Sequence, residues 1–127
     1  MSTLKVNNIQ TTSGGSSSTP EQIQQGRAKL WLNYNGSTNS IRDDFNVTSV
    51  TDEGTGTYTV NWDTNAANAN YAIMTNYNHK AGVVLGKTVM VDRTAFTISS
   101  SQFRLEVYNS ANASVDMNEV HCACFGD

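Results

Sequence analysis

Proline occurs once in this chain of 127 residues, cysteine twice, tryptophan twice, and lysine and arginine together only eight times. Each scarcity removes a class of protein. Eight scattered cations against eleven acids, a net charge of -3, form no basic stripe able to neutralise a phosphate backbone, so nucleic acid is not expected as a partner. No apolar run approaches the roughly twenty residues that cross a bilayer, and the start lacks the unbroken hydrophobic stretch of a secretory signal. The expectation is folding in a cytoplasm, with no membrane insertion. Cys122 and Cys124 stand one residue apart, so a strand points both to the same face, badly placed to bond each other, and free thiols are expected.

What the chain does have is uncharged polarity. Asn, Ser and Thr supply 43 of the 127 residues while only 15% are charged, so the surface hydrogen-bonds without strong fields. Such a surface suits carbohydrate contact or packed assemblies, and it equally suits a β-protein with Asn-rich turns.

The first ten residues carry Leu4, Val6 and Ile9 as isolated apolar side chains that need a partner surface. "TTSGGSSSTP", residues 11–20, has no charged and no hydrophobic side chain, a composition that stays coil when free. Residues 1–19 are therefore expected to be an assembly element, an extended arm with a Ser/Gly tether, held in place by neighbouring chains. Thr19-Pro20-Glu21 then starts a helix, with Thr as N-cap, Pro at the first helical position and an acid in the first turn, and Gly26 should end it. Ile23 is its apolar residue. A helix this short is marginal alone, so Ile23 either meets about three copies of itself around an axis or tucks against its own domain.

From Ala28 the apolar period becomes two. Ala28, Leu30, Leu32 and Tyr34 share a face with Trp31 opposite; Asn35-Gly36-Ser37 turns; Phe45 and Val47 point one way; Asp52 to Gly56 turns again. Tyr58, Val60 and Trp62 return against Thr57, Thr59 and Asn61, and Tyr71, Ile73, Thr75 and Tyr77 alternate with Ala72 and Met74. Further strands are expected within "VVLGKTVMVDR", bulged at Gly86, and in "TAFTIS", "FRLEVYN" and "VDMNEVHCACF". Seven or eight short strands define an all-β fold, an antiparallel β-sandwich over residues 20–127 with the short helix at its start.

Catalysis is not expected, and no cofactor. Asp43-Asp44 and Asp52-Glu53 are acid neighbours, but neighbours in a strand diverge and the second pair sits at a turn. His79 and His121 belong to no triad pattern. "HCAC", residues 121–124, is half a zinc site at most, and Val120, Cys122 and Cys124 also make a plain buried strand face. The sequons at Asn35, Asn46 and Asn112 carry little without a secretory signal. The best recognition surface is the polar end bearing Asn76, Tyr77, Asn78 and His79, where a ring and several amides could stack on and hydrogen-bond a sugar.

Three runs, "STPEQIQQGRAKLWLNYNGS", "IRDDFNVTSVTDEGTGTYTVNW" and "NANYAIM", resemble the terminal domain of tail-fibre-like proteins of phages, those of marine bacteria and cyanobacteria above all. "MSTLKVNNIQ" resembles the start of many virion proteins of such phages, so the likeness covers residues 1–74. The resemblance implies a non-enzymatic virion component assembled in the host cytoplasm, a homotrimer with its β-domain outward. Leu4, Val6 and Ile9 would dock it onto other virion proteins, Ile23 would lie at the trimer contact, and the β-domain would meet a host-surface glycan or receptor. The competing expectation is a capsid or tail decoration protein that stabilises the particle.

Overall fold

The computed structural model describes residues 2–77 and 88–126. Near the start, β1 (Ile9–Gln10) and β2 (Ser17–Ser18) pair antiparallel, Ile9 opposite Ser18 and Gln10 opposite Ser17. Within the expected extended arm the chain thus folds back as a small hairpin. The Ser/Gly stretch serves as its loop: the Thr11 N–H donates to the Ser16 carbonyl at 3.1 Å, the Gly14 N–H to Thr11 at 2.9 Å, and Gly14 takes a φ of +72° that suits a residue without a Cβ.

The helix α1 (Pro20–Gly26) begins as expected, with Thr19 as N-cap and proline in the first turn. Its cap is reciprocal: the Gln22 N–H donates to Thr19 Oγ1 at 3.2 Å while the Thr19 N–H donates to Gln22 Oε1 at 2.9 Å, so two otherwise orphaned donors are satisfied. None of its residues is buried.

Eight strands among the described residues build the sandwich: β3 (Leu30–Asn35), β4 (Ser40–Phe45), β5 (Val47–Gly54), β6 (Thr57–Trp62), β7 (Ala72–Tyr77), β8 (Thr88–Val91), β9 (Gln102–Tyr108) and β10 (Val120–Phe125). One sheet runs β4-β3-β10-β7 and the other β5-β6-β9-β8, with every pairing antiparallel. The period-two readings hold because burial follows them. Leu30, Leu32 and Tyr34, with Val120, Cys122 and Cys124, line the inside of the first sheet. Tyr58, Val60 and Trp62, with Phe103, Leu105 and Val107, line the inside of the second. Rings lock the seam edge to face: Tyr34 on Tyr58 with centroids 5.1 Å apart, Trp62 on Tyr71 at 5.0 Å and Tyr71 on Phe103 at 6.1 Å.

Four local readings differ. β4, with the sequence SIRDDF, was not visible as a strand, because at the edge of its sheet it keeps both faces largely exposed and shows no alternation. Phe45 and Val47 do not point together: Asn46 between them has a φ of +62° and carries the chain from the first sheet to the second, so Phe45 faces solvent and Val47 packs on the core. "TAFTIS" forms no strand. Asp92 Oδ1 accepts from the Thr94 and Ala95 N–H groups at 2.8 and 3.0 Å, bending the chain, and Phe96 settles 4.6 Å from the Arg104 guanidinium. In "VDMNEVHCACF" only the last six residues are strand. Gly86 lies outside the described residues.

Asn46 is the corner that joins the sheets. Its Nδ2 donates to the carbonyls of Lys29 (2.9 Å) and Thr64 (3.0 Å), and its Oδ1 accepts the Thr64 N–H at 2.7 Å. Asn46→Ala should cost about 3 kcal/mol in urea unfolding, from lost hydrogen bonds and a side chain forced to positive φ. Asn46→Gly, relieved of the backbone penalty, should cost about 1 kcal/mol less; equal losses in the two variants would refute the conformational share.

Candidate functional site

Residues directly opposite in an antiparallel pair share a face. Phe45 stands opposite Trp31, Trp31 opposite Ala123, and Ala123 opposite Met74, so four outward side chains line up across the whole first sheet. Phe45 is 49%, Trp31 37% and Met74 65% exposed. At the usual strand spacing this apolar strip is about 14 Å long. A polar row runs beside it, because Asp43 opposes Asn33, Asn33 opposes His121, and His121 opposes Asn76. Next to that row Arg42 Nη1 donates to Glu119 Oε1 at 2.7 Å, and His121 Nε2 lies 3.9 Å from Glu119 Oε2.

Two details sharpen the face. Asn33 Oδ1, a buried atom at its centre, accepts no hydrogen bond. At the Phe45 end the strip meets a recess of about 730 Å³, lined by Arg27, Lys29, Asn46, Asp63 and Thr64 among others. A flat apolar band flanked by amides, a carboxylate and an imidazole can stack on a ligand and hydrogen-bond its edge.

Of the residues expected at the recognition end, Asn76 belongs to this face. Tyr77 does not: strand alternation turns it inward, opposite Val120 and packed on the core. Asn78 and His79 lie outside the described residues. Sequence reasoning had separated Trp31 from its buried neighbours but did not assemble the strip, since its members come from β4, β3, β10 and β7, and only the register joins them.

The N-terminal residues meet elsewhere. Leu4, Val6 and Ile9 converge with Pro20, Ile23 and Arg27 on a groove of about 500 Å³ between the arm and α1. Their side chains stay open, Leu4 at 84%, Ile9 at 56% and Ile23 at 44% exposure. Residues read separately as docking and oligomer contacts thus form one apolar patch.

The other motifs are absorbed by structure. Asp43 and Asp44 diverge, facing Asn33 and Leu32 on opposite sides of the sheet. Asp52 accepts from Asn39 Nδ2, and Glu53 Oε1 accepts from Thr59 Oγ1 at 2.8 Å. Among the described residues no three His, Cys, Asp or Glu side chains gather as metal ligands. Cys122 and Cys124 are free and buried, and burial pushes the Cys124 thiol up to about 12 and Cys122 well above its ordinary value. They behave as small hydrophobes of the inner face. No family model, curated protein or solved structure matches the chain.

Two measurements follow from these buried groups. Ellman's reagent at pH 8 should leave both thiols of the native protein unreacted over minutes and count two in denaturant; one rapid native thiol would contradict the packing. Burial also pushes Tyr71 up to about 12 from 10.0, as it does Cys124 from 9.0. The folded state therefore holds protons that the unfolded chain releases earlier. Stability from these groups is complete below about pH 9 and should fall as pH rises through about 12, and a flat urea midpoint from pH 9 to 12 would refute it.

Proposed function

We propose that this protein is a phage virion component of the tail-fibre-like kind, fixed by its N-terminal module and presenting the sandwich to a host-surface glycan, which it binds without cleaving. The observation that carries the reading is that seven exposed large apolar side chains gather in two places, while Ile41 and Met90 stand apart from both. Leu4, Val6, Ile9 and Ile23 edge a groove of the arm and helix, whereas Phe45, Trp31 and Met74 lie on the sheet. One patch serves assembly and the other serves contact with the outside.

In this reading Leu4, Val6 and Ile9 dock onto other virion proteins, and Ile23 packs against its copies in a homotrimer. Light scattering on the full chain should give about 41 kDa, three times the 13.8 kDa of one chain, and Ile23→Asp should return it to the monomer mass. A wild-type monomer at micromolar concentration would count against the trimer.

Docking is tested separately. A full-length Leu4→Asp/Val6→Asp/Ile9→Asp variant should fold, bind host cells as purified protein, and fail to enter assembling particles. Particles that lack the protein, break readily, yet adsorb at the wild-type rate would replace the attachment reading with that of a decoration protein.

A further inference from the structure

We propose that the outer face of the sheet β4-β3-β10-β7 binds a neutral, β-linked hexopyranose polymer laid across the strands, with Trp31 as its stacking platform. The proposal rests on the attachment reading and gives it a ligand class. It begins from alignment. Phe45, Trp31, Ala123 and Met74 are consecutive cross-strand partners, so their tops form one band across four strands, about 14 Å long. β-linked pyranoses with equatorial hydroxyls form flat chains whose faces are apolar C–H groups of slight positive charge. Such faces pack on the negative face of an indole or phenyl ring.

The ring edges of such a polymer carry hydroxyls that both donate and accept. The parallel row of Asp43, Asn33, His121 and Asn76 supplies both functions along the band, the Asp43 carboxylate accepting and the amides and imidazole adding donors. Charge selects the neutral polymer. Arg42 is already paired with Glu119 at 2.7 Å, which leaves Asp43 as the carboxylate of the row, and among the described residues the row holds no guanidinium or ammonium for a sulfated or phosphorylated chain. The recess of about 730 Å³ beside Phe45, with Arg27, Lys29, Asp63 and Thr64 on its walls, has room for a branch or a further sugar.

Area argues against a second copy as the occupant. From their exposures, Phe45, Trp31 and Met74 offer apolar surface on the order of 300 Å². A stable protein interface takes about 800 Å² from each partner, of which about 450 Å² is apolar. The band is too narrow for that, and its width matches a single polymer chain.

The two tryptophans make the test direct, because Trp62 is 5% and Trp31 37% exposed, so acrylamide quenching reports on Trp31. Cellohexaose titrated into the full-length protein should protect Trp31 saturably, while the curled, α-linked maltohexaose should protect it far less. By calorimetry, Trp31→Ala should weaken cellohexaose binding by about tenfold. Trp31→Phe should keep most of the affinity, and Asn33→Ala should lose several-fold.

The proposal is overturned if cellohexaose gives neither heat nor protection at millimolar concentration, or if Trp31→Ala binds it as well as wild type. It is overturned too if Trp31 becomes more exposed on dilution, which would show a second copy on the face. Host cells bound equally by wild type and Trp31→Ala would sink this ligand site and leave the attachment reading standing, whereas wild type that binds cellohexaose but no cell would do the reverse.

Discussion

Two sheets stay together chiefly through the side chains that meet between them, and here rings standing on edge make the seam. Tyr71 sits between Trp62 and Phe103, while Tyr34 and Tyr58 cross at another point of the seam. A buried phenol needs a partner for its hydroxyl. Tyr58 donates to Asp116 Oδ1 at 2.9 Å, and that same oxygen accepts the Gly56 N–H at 2.7 Å. The fit is tight enough to choose a neighbouring residue, for a Cβ at Gly36 would stand 2.6 Å from Tyr58 Cζ. Turn, acid and ring are therefore one unit.

The two outer faces use their polarity differently. On the second sheet Arg104 is held from several sides: its Nε donates to Thr59 Oγ1 at 3.2 Å, Glu53 lies 3.4 Å and Asp92 3.8 Å from its other nitrogens, and Phe96 covers it. That face satisfies itself with its own loop. On the first sheet the apolar band stays open and the amide oxygen of Asn33 has no donor. The chain thus covers the Arg104 region of one face with its own loop and leaves the apolar band of the other uncovered.

Legibility in the sequence tracked burial contrast. β3, β9 and β10 alternate because one side is dry and the other is not, and that contrast writes itself into residue type; β6 alternates in residue type although its outward Thr59 is buried under Arg104. β4 carries no such record, since an edge strand wet on both faces can be Arg-Asp-Asp without cost. "TAFTIS" misled for the opposite reason: Phe96 is a good strand former used to cover an arginine. The apolar band was hidden because it exists only after registers fix four distant segments against each other. The one local clue was Trp31, a large ring set opposite Leu30, Leu32 and Tyr34. Asn46 left a clue too small to weigh, a single residue tolerant of positive φ between Phe45 and Val47.

β10 lies between β3 and β7 in its sheet, and the Lys29 N–H is bound to the Cys124 carbonyl at 2.8 Å. The earliest strand of the sandwich thus has the latest as its neighbour. A ribosome making this protein must release nearly the whole domain before the first sheet can close, and until then Leu30, Leu32 and Tyr34 wait uncovered. Loop-closure entropy makes that wait long relative to local folding. The nascent chain therefore keeps a sticky apolar edge uncovered until β10 has emerged and paired between β3 and β7.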